Sequence, residues 1–311
     1  MQEKKFTILK EILGGYRRSS EEYLFHCPFC KHHKPKFSVN LDKGAKCWVC
    51  GWATPKLFRV VRRLGTRQQK DEWQELEGSV DIGEFSLDLF ENKKEEIQKT
   101  VISLPDEYIS LANKALPRTA VFPLKYLKSR GLSHEDIFYW KMGYCTGGEY
   151  ANRIIIPSFS IDGDINFFVA RTFGKDWPKY KNPPAHRDIV FNELWIDWRK
   201  PVTIVEGVFD AIKAGPNSIP LLGSTLRENS VLFQEIVKND PPVYLALDRD
   251  AQSKARHIAQ RLMGHGIELY KIDLKGYNDV GEMTKEEFSE LRRQTSPMES
   301  ELELISQALS E

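Results

Sequence analysis

The 311-residue chain has no apolar run long enough to cross a membrane, so it is expected to be soluble and to need no membrane partner. Its first residues, Met-Gln-Glu-Lys-Lys, carry no signal-peptide pattern, which predicts a reducing, cytoplasmic setting. No Gly-x-x-x-x-Gly-Lys-Ser/Thr run occurs, and this excludes a fused P-loop motor. Cysteine is sparse, at five residues, and four of the five fall between positions 27 and 50. Net charge is nearly absent as well: 45 Lys/Arg against 44 Asp/Glu leave +1, yet the charges are unevenly placed. Residues 1–63 hold 14 Lys/Arg and 5 Asp/Glu, whereas residues 70–107 hold 12 Asp/Glu and 4 Lys/Arg. A basic first module followed by an acidic connector suggests that the first meets a phosphate backbone and the connector does not.

The clustered cysteines form two pairs, Cys27-Pro28-Phe29-Cys30 and Cys47-Trp48-Val49-Cys50, with 16 residues between them. Each Cys-x-x-Cys makes a tight knuckle, and an intervening hairpin brings the knuckles together, so four thiolates can occupy the corners of a tetrahedron around zinc. Two disulfides are the competing reading, and a reducing compartment disfavours it. Four thiolates fill the coordination sphere, which makes this zinc structural rather than catalytic. His26, His32 and His33 flank the knuckles and are read as neighbours rather than ligands. Cys145 has no sequence partner and is read as a small core residue.

Composition, 41% hydrophobic, allows two or three modules. Residues 3–14 read as an amphipathic helix ending at Gly14-Gly15, 22–52 as the ribbon with Phe25, Phe37 and Trp48 in its core, and 55–76 as helical. The polar, acid-rich stretch 77–100 reads as a linker. Helices are expected near 107–116, 122–130 and 134–139, then two strands over Arg153–Ile156 and Ile165–Arg171 joined through Asp162-Gly163. After Pro201 the pattern alternates: strand 202–206, helix 208–214, strand 218–222, helix 228–238, strand 243–248, helix 251–264, strand 267–272. That alternation predicts a mainly parallel sheet with helices on both faces. The domain reading is 1–65 zinc ribbon, 66–101 acidic helix and linker, 102–200 a first mixed α/β part, 201–284 the parallel-sheet module, and 285–311 a short helical end.

In such sheets chemistry collects at the carboxyl ends of strands, where Glu206 and Asp248 fall. Asp250 lies two residues on and points the same way if the extended backbone persists. Asp210, four residues past Glu206, faces the same edge if a helix begins at once. Crowded carboxylates repel one another without a cation, and a hard, oxygen-seeking ion such as Mg²⁺ resolves the conflict.

Several segments, in order, resemble one family. Glu206-Gly207-Val208-Phe209-Asp210, Leu222-Gly223-Ser224-Thr225, Asp248-Arg249-Asp250 and Asn278-Asp279 look like a Toprim module, and Cys27 to Trp52 looks like the zinc-binding module of DnaG-type primases. Between them, Tyr126-Leu127-Lys128-Ser129-Arg130-Gly131-Leu132, Asn152–Pro157 and Pro178-Lys179-Tyr180-Lys181-Asn182 are similar to the first half of that family's RNA polymerase domain. The resemblance implies an α+β multidomain chain, a zinc ribbon followed by a mixed α/β polymerase domain containing Toprim. It implies an enzyme, a DNA-directed RNA polymerase that makes short primers on a single-stranded DNA template from ribonucleoside triphosphates. Glu206, Asp248 and Asp250 would organise Mg²⁺, with Mn²⁺ able to substitute, and Asp210 and Asp279 would support them; whether Glu206 is ligand or general acid/base stays open. Arg153, Lys179, Tyr180 and Arg171 match positions that hold template and nucleotide.

The chain departs from the family in having Cys30 where many bacterial members have His, and in offering only 285–311 after the Toprim strands. So compact a chain resembles a bacteriophage or mobile-element enzyme, in the host cytoplasm if viral, working with a separate replicative helicase. Two other classes share these parts. A recombination-mediator clamp joins a four-cysteine zinc site to Toprim without needing Arg153 to Asn182, and a Toprim nuclease or topoisomerase would use the same carboxylates for cleavage.

Overall fold

A computed structural model describes residues 1–19, 21–77, 102–223 and 225–298. The chain divides into two units, one holding the amino-terminal part and the other most of the residues after 102; each is treated by itself. The expected linker over 77–100 and the last part of the 285–311 segment lie outside the described residues, apart from Glu77 and 285–298.

The first unit opens with α1, Gln2–Leu13, whose Phe6, Ile8, Leu9, Ile12 and Leu13 recur at helical spacing and pack into one cluster. Five short antiparallel strands follow in the spatial order β1 (Tyr16–Ser19), β2 (Glu22–Phe25), β3 (Phe37–Asn40), β4 (Gly44–Cys47) and β5 (Ala53–Thr54). Phe25 faces Phe37 and Phe37 faces Cys47 across the ladders, so the aromatic core and the metal-ligand end share one register. Phe25 and Phe37 are fully buried, each contributing on the order of 1.5–3 kcal/mol by burial. Trp48 is buried too, but outside that cluster. The single helix expected over 55–76 is two, α2 (Phe58–Leu64) and α3 (Arg67–Glu77). Gly65 takes an extended conformation between them, which interrupts the helical ladder.

The second unit contains two sheets. An antiparallel one runs β6 (Tyr108–Ser110), β7 (Gly143–Cys145), β8 (Arg153–Phe159), β9 (Ile165–Thr172), accompanied by α4 (Val121–Ser129) and α5 (His134–Tyr139). The helix expected near 107–116 is therefore wrong. Tyr108–Ser110 is an edge strand whose backbone pairs with Gly143–Cys145 of β7 rather than within a helix. Alternate residues of β8 and β9 enter different clusters: Ile154, Ile156, Phe167 and Val169 on one face, Ile155, Phe168 and Ala170 with Cys145 on the other. Cys145 is thus a core residue, its thiol pushed up to about 12 chiefly by burial.

The other sheet is parallel, in the order β11 (Ser218–Pro220), β10 (Val202–Val205), β12 (Val243–Ala246), β13 (Leu269–Lys271). Its helices are α6 (Val208–Ala214), α7 (Val231–Asn239) and α8 (Gln252–Gly264), and α9 (Lys285–Gln294) packs against α6 with Phe288 buried. From β10 the chain steps to β11 on one side, and β12 lies on the other. Strand order therefore reverses between β10 and β12, where open α/β sheets form their crevice. Val205 pairs with Ala246 in register, so Glu206 and Asp248 both emerge at that crevice.

Candidate active site and metal centre

In the first unit the four sulfurs of Cys27, Cys30, Cys47 and Cys50 all lie within 4.8 Å of one another, with Cys27–Cys50 at 3.9 Å and Cys30–Cys47 at 3.8 Å. A tetrahedron with metal–sulfur bonds of about 2.3 Å has edges of about 3.8 Å, so the spacing is that of a zinc site. The two knuckles are built alike. Lys31 N donates to the Cys27 carbonyl at 3.0 Å and Gly51 N to that of Cys47 at 3.1 Å, and Lys31 and Gly51 both sit in the left-handed region, at φ 51 and 73. Burial pushes the Cys27 and Cys47 thiols up, a cost that a bound divalent cation reverses by taking thiolate. The neighbouring histidines are held by backbone: His26 Nδ1 lies 3.2 Å from the His32 carbonyl, and Lys34 N donates to His32 Nδ1 at 3.2 Å.

In the second unit the carboxylates are assembled by backbone N–H groups. Asp210, at the third position of α6, accepts from Gly207 N at 3.0 Å, closing the helix start on itself. Its other oxygen accepts from Gly281 N at 2.9 Å, which fastens the 278–282 turn to α6. A side chain at Gly281 would put its Cβ 2.9 Å from Asp210 Oδ1 and 3.2 Å from Asp279 Oδ1, so any larger residue there must displace the Asp210 carboxylate. Asp279 caps that turn by accepting from Glu282 N at 2.9 Å. Arg249 N donates to the Asn278 carbonyl at 2.9 Å, which holds the Asp248–Asp250 turn beside the Asp279 turn.

Asp248 is the focus of this assembly. Its Oδ1 is buried without a hydrogen-bond partner, and its carboxyl is pushed up to about 7 by burial first and then by Asp210, Glu206, Asp279 and Asp250. The other four sequence candidates therefore lie within electrostatic reach of Asp248. Asp210 is held up to about 6, mainly by burial and by Asp279. The extended backbone expected through Asp250 does not persist: Arg249–Ala251 is a 3₁₀ turn, and Asp250 is an exposed member of it. Among the described residues only the cysteines form a tight ligand group, so the carboxylates are more widely spaced than a closed ligand shell. Glu206 pairs with Lys254 of α8, Nζ lying 2.9 and 3.2 Å from its two oxygens. Sequence reasoning missed Lys254; a lysine one turn into the helix after an acidic strand end was the signal.

The basic candidates divide into two kinds. Arg153 is only 4% exposed, and its guanidinium donates to the Pro178 carbonyl at 2.8 Å and the Lys179 carbonyl at 3.3 Å. It therefore positions the 178–179 segment. Arg171, also buried, donates to the hydroxyls of Tyr126 and Tyr180, and its guanidinium lies 4.9 Å from the Tyr180 ring centre and 5.1 Å from that of Phe209. Residues 179–181 run antiparallel to the end of β9, Thr172 N donating to Lys179 O and Lys181 N to Ala170 O. Lys179 is exposed, its ammonium pulled down by Arg171 first, then by desolvation and Arg130, against the raising pull of Asp279 and Asp210. Burial holds the Tyr180 hydroxyl up, opposed by Arg171 and reinforced by Asp210. Arg130 lies in the family-like segment 126–132, where the sequence assigns it no role. It stacks 5.3 Å from Phe209 and contributes to the fields at Asp210 and Lys179, so it belongs to the same assembly.

No family model matches the chain. Among curated proteins it is 25% identical to the DNA primase of Helicobacter pylori strain J99 over 292 residues, covering 77% of this chain and 50% of that protein. It is 22% identical to the DNA primase of Legionella pneumophila, covering 94% of this chain and 60% of that protein. The chain thus spans about half the length of the curated relatives it matches. Its fold is similar to the zinc-binding and RNA polymerase domains of Aquifex aeolicus primase, with a TM-score of 0.50 at 21% identity over 94% of this chain and 83% of that one. It is also similar to the Escherichia coli primase catalytic core, with a TM-score of 0.50 at 18% identity over 62% of this chain and 78% of that one. A DnaG primase catalytic domain bound to single-stranded DNA matches at a TM-score of 0.50 and 19% identity, over 58% of this chain and 74% of that one. The resemblance to DnaG-type primases is therefore carried by sequence and fold together, as a zinc-ribbon unit and a mixed α/β unit with a parallel sheet.

Proposed function

We propose that this chain is an RNA primase, joining ribonucleoside triphosphates into short primers on single-stranded DNA. The observation that supports the reading is that two opposed groups of side chains in one unit feel each other's fields: Asp248 with four further carboxylates, Glu206, Asp210, Asp250 and Asp279, and a basic group of Arg130, Arg171 and Lys179 with Tyr180. Polymerisation of nucleotides needs both, one to hold cations and the other to hold phosphates.

The parallel-sheet part is a Toprim module in this reading. The unpartnered Oδ1 of Asp248 and the raised carboxyls of Asp248 and Asp210 fit a hard divalent ion, Mg²⁺ or Mn²⁺, better than empty space. Such an ion, when bound, supplies positive charge that orients the triphosphate and favours ionisation of a 3′-hydroxyl. Glu206, Asp248 and Asp250 would hold it. Asp210 and Asp279 act through Gly207, Gly281 and Glu282, fixing the turns that carry the ligands. Lys254 holds Glu206 in an ion pair that orients its carboxylate. Lys179 is exposed and free to meet phosphate, while Arg153 fixes its backbone and Arg171 fixes Tyr180. The ribbon, with zinc on its four thiolates, would read the template, and a separate helicase would supply the single strand.

A clamp of the recombination-mediator type is the second reading, and the Arg153–Tyr180 arrangement disfavours it, since a clamp needs no phosphate-holding group beside its carboxylates. Purified protein incubated with Mg²⁺, labelled ribonucleotides and mixed single-stranded templates is expected to yield short template-dependent oligoribonucleotides. Absence of product with a helicase added points to the clamp, and shortened DNA to a nuclease.

A further inference from the structure

The second unit also holds an open cavity of about 650 Å³ between α4 and the segment that follows β9. Its walls are unlike the acidic site. Phe122, Tyr126 and Phe173 supply aromatic surface, Asn152 a carboxamide and Lys125 a cation. Phe122 is 68% exposed, an aromatic side chain left in water at the start of α4. The Asn152 backbone is anchored, since Phe173 N donates to its carbonyl at 3.1 Å, whereas its exposed carboxamide makes no hydrogen bond to another described residue. Trp177, one residue beyond the wall residue Asp176, is 90% exposed.

We propose that this cavity seats one unstacked nucleobase of the single-stranded DNA template, held against Phe122 and met at its edge by Asn152. The proposal rests on the primase reading given above. Three features favour a base. Every nucleobase has a flat π-face that stacks on an aromatic ring whatever its sequence, and exposed aromatics interleaved with lysines are how single strands are held. A carboxamide offers a donor and an acceptor together, the pair that a base edge requires. The volume leaves room for a base and its sugar. The seat also adjoins the proposed catalytic groups through one residue: Tyr126 lines the cavity, and its hydroxyl accepts from Arg171, which donates in turn to Tyr180. Lys125 on the cavity wall supplies a cation for a flanking phosphate, and the exposed Trp177 offers a ring to the next base.

The test uses the full chain without Mg²⁺. Fluorescence anisotropy is read with a labelled 12-nucleotide single-stranded DNA and with the same strand carrying abasic sites throughout. Phe122→Ala is expected to weaken the normal strand about tenfold and leave the abasic strand within about twofold, and Phe122→Tyr to restore the normal strand. Asn152→Ala is expected to reduce the preference for bases in the same direction. Because Phe122 is exposed, its thermal midpoint should match that of the unmodified chain, which separates lost stacking from lost folding. Equal weakening of both strands, weakening of neither, or an unmodified chain that binds neither strand overturns the seat. Primer synthesis is assayed in parallel: its absence in an unmodified chain that shows base-selective binding overturns the primase reading alone. Primers made by an unmodified chain whose binding ignores Phe122→Ala overturn the seat alone.

Discussion

Replacing Arg153 separates two accounts of that residue. If it contacts template, Arg153→Met costs DNA affinity and leaves folding untouched; if it positions the 178–179 segment, the cost falls on stability. The structure favours the second, because two guanidinium N–H groups already serve the Pro178 and Lys179 carbonyls and the side chain is 4% exposed. Hydrogen bonds from a charged donor contribute roughly 1.5–3 kcal/mol each. The longer of the two, 3.3 Å, is the weaker, and Pro178 and Lys179 are exposed enough for water to recover their carbonyls. The loss is therefore about 2–3 kcal/mol, with the methionine stem keeping the packing. In a unit of this size that lowers the thermal midpoint by about 5–10 °C. Calorimetry on the full chain, with single-strand affinity measured as a function of salt, checks it. A midpoint within about 1 °C of the unmodified chain, together with a shallower salt dependence, would refute the positioning role.

Removing zinc with a strong chelator is expected to unfold the ribbon, seen as lost near-ultraviolet circular dichroism and one zinc released per chain. A structural zinc contributes on the order of 10–16 kcal/mol, which matches or exceeds the whole stability of a small domain. An unchanged spectrum after metal release would contradict this. Stability without Mg²⁺ should fall as pH rises from about 5 to 8. The native carboxyls of Asp248 and Asp210 sit near 7 and 6, above the ordinary 3.8, so the native state holds protons that the unfolded chain has already released. Mg²⁺ should offset this loss, raising the thermal midpoint more at pH 8 than at pH 5.5; an equal gain at both would be wrong for this site. Gly281→Ala presses a Cβ to 2.9 Å from Asp210 Oδ1, and primer synthesis is expected to drop about 10–100-fold with only a small change in midpoint. Full activity in that variant would mean that the Asp210–Gly281 contact is not needed.

Local patterns carried much of the structure. The α6 range of 208–214 follows from an apolar strand, a glycine and a capping aspartate in sequence, and the parallel pairing, though not the strand order, from the alternation of strands and helices. Where the sequence misled, tertiary pairing had overridden a local pattern. Tyr108–Ser110 joins β7 instead of coiling, and the backbone after Asp248 turns into a 3₁₀ helix because its N–H groups meet Asn278 and Asp248 carbonyls. The charges of the acidic group were legible from strand ends, but their anchoring was not. Gly281 and Lys254 reach Asp210 and Glu206 across 71 and 48 residues of chain, a separation that no motif spacing encodes. Arg153 shows what a motif leaves out: its place in a family-like segment points to a ligand, but not to the Pro178 and Lys179 carbonyls that its buried guanidinium meets.

The most direct test is primer synthesis by the unmodified chain beside Asp248→Asn and Glu206→Gln, with Mg²⁺, ribonucleotides and single-stranded templates, products resolved by length. The account predicts short template-dependent RNA from the unmodified chain and at least about 100-fold less from either variant, with both variants still binding single-stranded DNA. RNA made equally by all three, or by none while the unmodified chain binds template and ribonucleotide, would contradict it.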